Sequence, residues 1–214
     1  MTEHLRSNHP IEPSNGGSVA VESDRFRGNL YGLLARVLTE PPSHDTIELM
    51  RDLVEVETNT EIGKVLATLG AVAVRTSIGK AEEEFTALFY GHGAGGEIHP
   101  YASYYLTGFI YEKPLADLRS DLREIGIESA GRNSEPEDHM AFLCEVMHGL
   151  ISGRFGGSPD SARQQEFFSK HIAPWAGLFF KDLEAASSAT LYMPVGALGS
   201  LFFAVEGEAF EMAA

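Results

Sequence analysis

Residues 25–38 read RFRGNLYGLLARVL, and their apolar positions recur at steps of three and four. That spacing predicts an α-helix with one apolar face, formed by Phe26, Leu30, Leu33, Leu34, Val37 and Leu38. Pro41 and Pro42 end this helix, because proline lacks an amide hydrogen and its ring disfavours the α conformation of the preceding residue. The first ordered element is therefore an amphipathic helix.

The same period continues through most of the chain. Further helices are predicted to begin at about Asp45, Glu61, Glu82, Pro114, Glu135, Ser158 and Ala189, with a kink or a fresh start at Pro174. Alternating strands and internal repeats are not apparent. The sequence therefore predicts an all-α fold, an irregular single-domain bundle of about nine or ten helices over residues 23–214. Residues 1–22, rich in Pro, Gly, Ser and Asn, are predicted to form a disordered tail.

Charge and cysteine content narrow the function. The 214 residues contain 16 Lys and Arg against 31 Asp and Glu, a formal charge of −15, which repels phosphate backbones and anionic lipids but attracts basic peptides. We therefore predict no nucleic-acid partner. The single cysteine, Cys144, cannot form an internal disulfide and lies in an apolar run, which favours a buried thiol and a reducing, cytoplasmic setting. The sequence shows neither a secretory signal nor a membrane span.

Residues 134–139, SEPEDH, are the first candidate for chemistry. On a helix that begins here, Glu135, Asp138 and His139 stand at i, i+3 and i+4 and share one face. Such a group could serve acid–base chemistry or bind a metal. Alternatively, Ser134 and Glu137 form a capping box, and the segment only begins the helix.

Two other segments are candidates for binding. Residues 91–96, GHGAGG, lack the Lys-Ser/Thr ending of a phosphate-binding loop and favour a lid or a peptide-contacting loop. The tyrosines of residues 101–111 either line a groove for a peptide or pack between helices. A GxSxG nucleophile motif is absent from the sequence, and Cys144 lacks the setting of a reactive thiol, so we predict no catalytic residue.

Five segments in a fixed order resemble the TorD/DmsD family of redox-enzyme maturation chaperones. They are residues 84–91 (EFTALFYG), 100–104 (PYASY), 135–139 (EPEDH), 167–175 (FFSKHIAPW) and 192–206. The Glu-Pro-x-Asp-His box is the most specific of them, and together they cover roughly residues 25–210. The sequence departs from the usual family pattern at Phe85, Ala87 and His92, where Tyr, Arg and Pro are common. These changes bear on which client is bound.

The resemblance implies a TorD-like, all-helical cytoplasmic chaperone without catalytic activity, cofactor or bound metal. Such a protein binds the twin-arginine leader and the apo-form of a molybdenum-cofactor oxidoreductase until the cofactor is inserted. Clients of the formate dehydrogenase and of the dimethyl sulfoxide (DMSO) or trimethylamine N-oxide (TMAO) reductase type are all compatible, with formate dehydrogenase preferred. The family pattern assigns peptide binding to Phe89, Pro100, Tyr101, Ser103, Tyr104, Glu135, Pro136, Asp138 and His139. It is also compatible with a monomer or a domain-swapped dimer.

The residue types of these segments agree with a leader-binding protein. A groove lined by aromatic side chains, with carboxylates at its edge, complements a peptide that has a basic start and an apolar core. The sequence has no Arg-Arg pair of its own, which agrees with a protein that binds twin-arginine leaders rather than one that carries such a leader. Two alternatives stay open. One is a metal-dependent hydrolase that uses Glu135, Asp138, His139 and a distant histidine such as His171. The other is an interaction subunit that binds the folded client.

Overall fold

The computed structural model describes residues 16–91, 95–127, 135–155 and 160–213. In these residues the chain forms ten α-helices and no β-strand, which confirms the predicted fold class. The helices are α1 (Gly16–Thr39), α2 (His44–Asp52), α3 (Glu61–Arg75), α4 (Ile78–Phe85), α5 (Ala102–Thr107), α6 (Lys113–Glu124), α7 (Met140–Ser152), α8 (Ser161–His171), α9 (Ala173–Ala185) and α10 (Tyr192–Ala213). A 3-10 turn (Leu53–Glu55) follows α2, and a π-helical turn (Thr86–Tyr90) extends α4.

The helix starts predicted at about Asp45, Glu61 and Pro114 lie within one residue of the observed ones, whereas the helix predicted from Glu82 begins at Ile78 and the one predicted from Ala189 begins at Tyr192. The first helix already includes residues 16–22, which were assigned to the tail, while residues 1–15 lie outside the described residues. At α8 the N-cap is Asp160, whose carboxylate accepts from two amides of the first turn, whereas Ser158 was expected there and lies outside the described residues. Pro174 marks a fresh start, because it occupies the first turn of α9.

The core forms where α1 packs along α7 and where α9 packs along α10. Its largest fully buried side chains include Trp175, Tyr31 and Tyr192, and Cys144 is buried there as expected. A partly buried ion pair lies at this core: Arg27 on α1 donates from Nε to Oε1 of the buried Glu206 on α10 at 2.6 Å. The hydroxyl of Tyr31 donates to the same carboxylate at 3.0 Å, so α1 and α10 are joined through one acidic group.

A second carboxylate fixes the start of α10. The side chain of Glu84 on α4 accepts hydrogen bonds from the amides of Thr190, Leu191 and Tyr192 at 2.7 to 3.0 Å. These are the donors that a helix leaves unpaired at its N-terminus, so Glu84 caps α10 from another part of the chain.

Within the described residues, no single helix is long and apolar enough to cross a bilayer. The segments Glu61–Arg75 and Ile78–Tyr90 reach the required length and composition only when taken together, and they are bent by 114° relative to each other.

Candidate functional site

Two short backbone segments, one before α5 and one before α7, pair in an antiparallel bridge between Tyr101 and His139. The amide of Met140 donates to the carbonyl oxygen of Pro100 at 2.8 Å. The first amide of α5 donates to the carbonyl oxygen of Asp138 at 3.0 Å. This pairing brings two of the segments that resemble the chaperone family, residues 100–104 and 135–139, into direct contact.

Asp138 is the buried charged group of this contact, with 0% of its surface exposed. Its Oδ2 accepts a hydrogen bond from the amide of Ser103 at 2.8 Å, near the N-terminus of α5. This helix has no side-chain cap of its own, so Asp138 supplies the missing acceptor. Among the described residues, neither Oδ1 of Asp138 nor the hydroxyl of Ser103 has a hydrogen-bond partner. An unpaired buried carboxylate oxygen is costly, which makes this atom a candidate for contact with a ligand.

A cavity of about 130 Å³ lies beside Asp138, with room for several water molecules or the polar end of a side chain. It is bounded by α5, α6, α7 and α8. Its lining residues are Ala102, Leu106, Pro114, Asp117, Leu118, Asp138, Leu143, Lys170 and His171. We call this space the Asp138 cavity.

The basic side chains at the Asp138 cavity, Lys170 and His171, are held by another carboxylate. Nζ of Lys170 lies 2.5 Å from Oδ2 of Asp121, and Nε2 of His171 lies 2.6 Å from the same oxygen. Burial lowers the pKa of His171, and its contact with Asp121 opposes this only in part, so the imidazole is neutral near pH 7. Burial works against ionisation of Asp121, but hydrogen bonds from Lys170 and His171 lower its pKa. Lys170 and His171 are thus engaged by Asp121, whereas Oδ1 of Asp138 is unpaired.

His139 has a different role from the one its spacing predicted. It is the N-cap of α7, and its Nδ1 accepts a hydrogen bond from the amide of Ala141 at 3.1 Å. Burial lowers the pKa of His139 to about 4, so the ring is neutral near pH 7 and Nδ1 remains an acceptor. The ring also packs edge-on against Tyr101, with 5.3 Å between the ring centroids. His139 therefore positions α7 and contributes no charge.

Tyr101 and Glu135 form the outer part of the site. The hydroxyl of Tyr101 donates to Oε2 of Glu135, which links the start of α5 to the turn before α7. Burial and this carboxylate both raise the pKa of Tyr101. The carbonyl oxygen of Pro136 accepts from the amide of His139 at 3.1 Å, and Nε of Arg119 on α6 donates to Glu137 at 2.8 Å. The Glu-Pro-x-Asp-His box is thus a tethered turn.

The expectation of a helix that begins at Glu135 is wrong, since α7 begins at Met140. Glu135, Asp138 and His139 do not share one helix face. Each has its own partner: a tyrosine hydroxyl, a backbone amide of α5 and a backbone amide of α7. Ser134, half of the predicted capping box, lies outside the described residues, and the observed cap is His139.

The same geometry does not support the hypothesis of a metal-dependent hydrolase. The three side chains of the box do not converge, and His171, the distant histidine considered with them, is bound to Asp121. Within the described ranges, no group of three or more His, Cys, Asp or Glu side chains is placed to hold a metal ion.

The structure brings together most of the residues that the family pattern assigned to peptide binding. Pro100, Tyr101, Ser103, Glu135, Pro136, Asp138 and His139 form one cluster. Tyr104 lies at the edge of this cluster on α5, where its exposed ring contacts His99. Phe89 is elsewhere, packed against Phe85 and Tyr192 with centroid distances of 4.8 and 5.6 Å.

Sequence reasoning missed the cavity itself. Leu106, Asp117 and Lys170 line it, yet none was a candidate residue. The spacing of Leu115, Leu118 and Leu122 predicts the buried face of α6, but helical period alone does not say which helix that face meets. The glycine-rich loop cannot be assessed, because residues 92–94 lie outside the described residues.

The chain is similar to a known protein family, to a named relative and to a solved structure. The family model of the nitrate reductase delta subunit matches residues 55–181. A protein from Actinobacillus succinogenes named Chaperone protein TorD is 27% identical over 122 residues, which are 57% of this chain and 59% of that relative. The match thus spans less than two thirds of the relative.

A crystal structure from Archaeoglobus fulgidus, described as a redox enzyme maturation protein, superposes with a TM-score of 0.56. It shares 21% sequence identity, and the match covers 92% of this chain and 98% of that one, which shows a common fold. The family model spans more than half of the sequence and includes both halves of the paired segments around Asp138. The chain therefore belongs to the nitrate reductase delta subunit family, the TorD family that its motifs resemble.

Proposed function

We propose that this protein is a redox-enzyme maturation chaperone that binds the twin-arginine leader of a molybdenum-cofactor oxidoreductase in the cytoplasm. The observation that carries the proposal is Asp138, a buried carboxylate with one unpaired oxygen beside a small cavity. Family membership and the relative named as a chaperone support the same class of function. The protein holds its client until the cofactor is inserted, and it carries out no reaction itself.

A leader arginine complements the Asp138 cavity chemically. A guanidinium group presents several N–H donors in one plane, and hydrogen bonds between ionised partners are stronger than those between neutral ones. Oδ1 of Asp138 lacks a donor among the described residues, while Lys170 and His171 are engaged by Asp121. The formal charge of −15 adds a long-range attraction for a basic peptide, which salt screens.

Calorimetry with synthetic leader peptides tests the proposal. The panel contains leaders of formate dehydrogenases and of DMSO and TMAO reductases, each with an Arg-Arg→Ala-Ala control, at two salt concentrations. We expect micromolar or tighter binding of at least one leader, weaker binding of its control, and lower affinity at high salt. The leader that binds best identifies the client, for which we propose a formate dehydrogenase. If no leader binds but the mature, leaderless client does, the interaction-subunit hypothesis replaces this one.

Asp138→Asn is the informative variant of the protein. Its amide oxygen still accepts from the amide of Ser103, so the cap of α5 is retained while the charge is lost. We expect the affinity for the leader to fall about tenfold to a hundredfold, as for other buried charge pairs. Glu166→Gln, on the exposed face of α8, changes the net charge equally and should bind like the wild type. Equal affinity of Asp138→Asn and Glu166→Gln would remove Asp138 from the binding site.

The oligomeric state stays a prediction, with both a monomer and a domain-swapped dimer compatible with the family. Light scattering on the eluate of a size-exclusion column measures it directly. The measurement with and without the bound leader also shows whether the client peptide changes the association of the chaperone.

A further inference from the structure

The turn between α5 and α6 carries three consecutive apolar side chains into solvent. Phe109 is 70% exposed, Ile110 44% and Tyr111 64%. We call these three residues the aromatic turn. Isolated apolar residues on a protein surface are common, but a contiguous group of large ones is typical of an interaction site.

The aromatic turn has a defined conformation. Gly108 ends α5 in the left-handed region, with its amide donating to the carbonyl oxygen of Tyr104 at 2.8 Å. The hydroxyl of Thr107 donates to the carbonyl oxygen of Ser103 at 2.7 Å and accepts from the amide of Phe109 at 3.3 Å. These bonds hold the backbone that presents the apolar side chains, so the turn is ordered before any partner binds.

Tyr111 adds backbone strain to this arrangement. Its φ angle is 65°, and Tyr111 is the only non-glycine residue in the described part of the chain that has a positive φ. Large side chains are disfavoured in this region, and such strain is often retained at sites that contact ligands. A glycine or an asparagine would adopt the same backbone with less strain, yet the chain places an exposed tyrosine there.

The aromatic turn lies in the chain between two groups of residues that line the Asp138 cavity. Leu106, in the last turn of α5, lines the cavity and is itself 46% exposed. Pro114 and Asp117, in the first turns of α6, line the same cavity from the other side of the turn. A peptide whose charged end enters the cavity therefore reaches the aromatic turn with the residues that follow or precede that end.

We propose that the aromatic turn binds the apolar core of the same leader whose arginines are recognised at the Asp138 cavity. This inference rests on the proposed function and extends it to a second part of the peptide. The occupant is a peptide with a basic stretch next to an apolar one, because the carboxylate of Asp138, with its unpaired Oδ1, lines a cavity that Leu106 also lines, next to the aromatic turn in the chain. A purely apolar partner would leave the acidic part of this surface unused.

A double-mutant cycle between protein and peptide tests the inference. The protein variants are Phe109→Ser and Tyr111→Gly, and the peptide variant has leucines of the apolar core replaced by serine in the leader that binds best. Tyr111→Gly removes the aromatic ring and relieves the positive φ, so its thermal stability should equal or exceed that of the wild type. Val74→Ser on α3, which also alters an exposed apolar side chain, is the matched control.

We expect each turn variant to weaken binding of the unmodified leader about tenfold, while Val74→Ser binds like the wild type. The serine-substituted leader should lose affinity for the wild type but little further affinity for the turn variants, since both changes remove the same contact. The Arg-Arg→Ala-Ala penalty should persist in the turn variants. That pattern separates the contact with the apolar core from recognition of the arginines.

Three results overturn the inference, and they are distinguishable. If the wild type binds the leader and both turn variants bind it equally well, the aromatic turn is not a contact, and the proposed function still stands. Additive penalties from the turn and peptide substitutions likewise reject a direct contact. If the wild type binds no leader, the proposed function and this extension fail together.

Discussion

The buried, neutral His139 predicts a specific dependence of stability on pH. Its pKa is about 4 in the native protein against an ordinary value of 6.5, and burial is the cause. Between these values the unfolded chain binds a proton that the native protein does not bind. The free energy of unfolding therefore rises with pH across this window, and stability is lost as the pH falls from 6.5 towards 4.

The size of the effect follows from the shift. A difference of this size in pKa corresponds to about 3 kcal/mol when the whole window is crossed. Between pH 7 and pH 4.5 the contribution of His139 is about 2 kcal/mol, since the titration is incomplete at both ends. Other groups, including His171, also titrate in this range, so the wild type alone cannot isolate the contribution.

The variant His139→Asn isolates the contribution of His139 to the pH dependence of the free energy of unfolding. Asparagine is a good N-cap, so it can accept from the amide of Ala141 in place of Nδ1 and does not titrate. Urea unfolding of both proteins at the two pH values gives four free energies of unfolding. We expect the wild type to lose about 2 kcal/mol more than the variant on acidification. Equal losses in the two proteins would show that His139 is not buried in its neutral form and would refute the assignment of its role as a cap.

Three further predictions concern groups outside the binding site. Glu206→Gln removes the charge that joins α1 to α10 and should lower the free energy of unfolding by roughly 2 to 4 kcal/mol in urea titrations, with the exposed Glu208→Gln as a nearly neutral control. Glu84→Gln weakens the cap of α10 and should cost about 1 to 3 kcal/mol by the same assay, whereas Glu83→Gln, exposed on the same helix, should change little. Burial raises the pKa of Cys144, so a thiol reagent should label it only after unfolding; rapid labelling of the native protein would contradict its burial.

Residues 135–139 show what a local sequence pattern does not predict. Residues 135–139 fit a helix start by every local criterion, with carboxylates and a proline in the expected first turn. In the structure they form a turn instead, because Asp138 is used to cap α5 and His139 to cap α7. Both interactions involve the start of a helix, but the partner of Asp138 lies 35 positions away in the sequence. Local propensity carries no information about such a partner.

Phe89 shows that a family motif does not by itself determine the contacts of each of its side chains. It belongs to residues 84–91, one of the five segments that resemble the family, and the resemblance assigned it to peptide binding. The structure packs its ring against Phe85 and Tyr192, in contact with the core. A shared motif marks membership of a family, and packing of the individual side chain decides whether that residue faces a ligand or the interior.

The sequence by itself determined the all-α class, the approximate helix positions and the family. These properties depend on the spacing of apolar residues, on prolines and on short ordered motifs, all of which are local along the chain. Only the tertiary structure decided that residues 100–103 and 138–140 pair, that Asp138 keeps one oxygen unpaired, and that residues on both sides of the aromatic turn line the cavity beside Asp138. These features depend on contacts between distant segments, because helical period specifies that a face is buried but not which helix covers it.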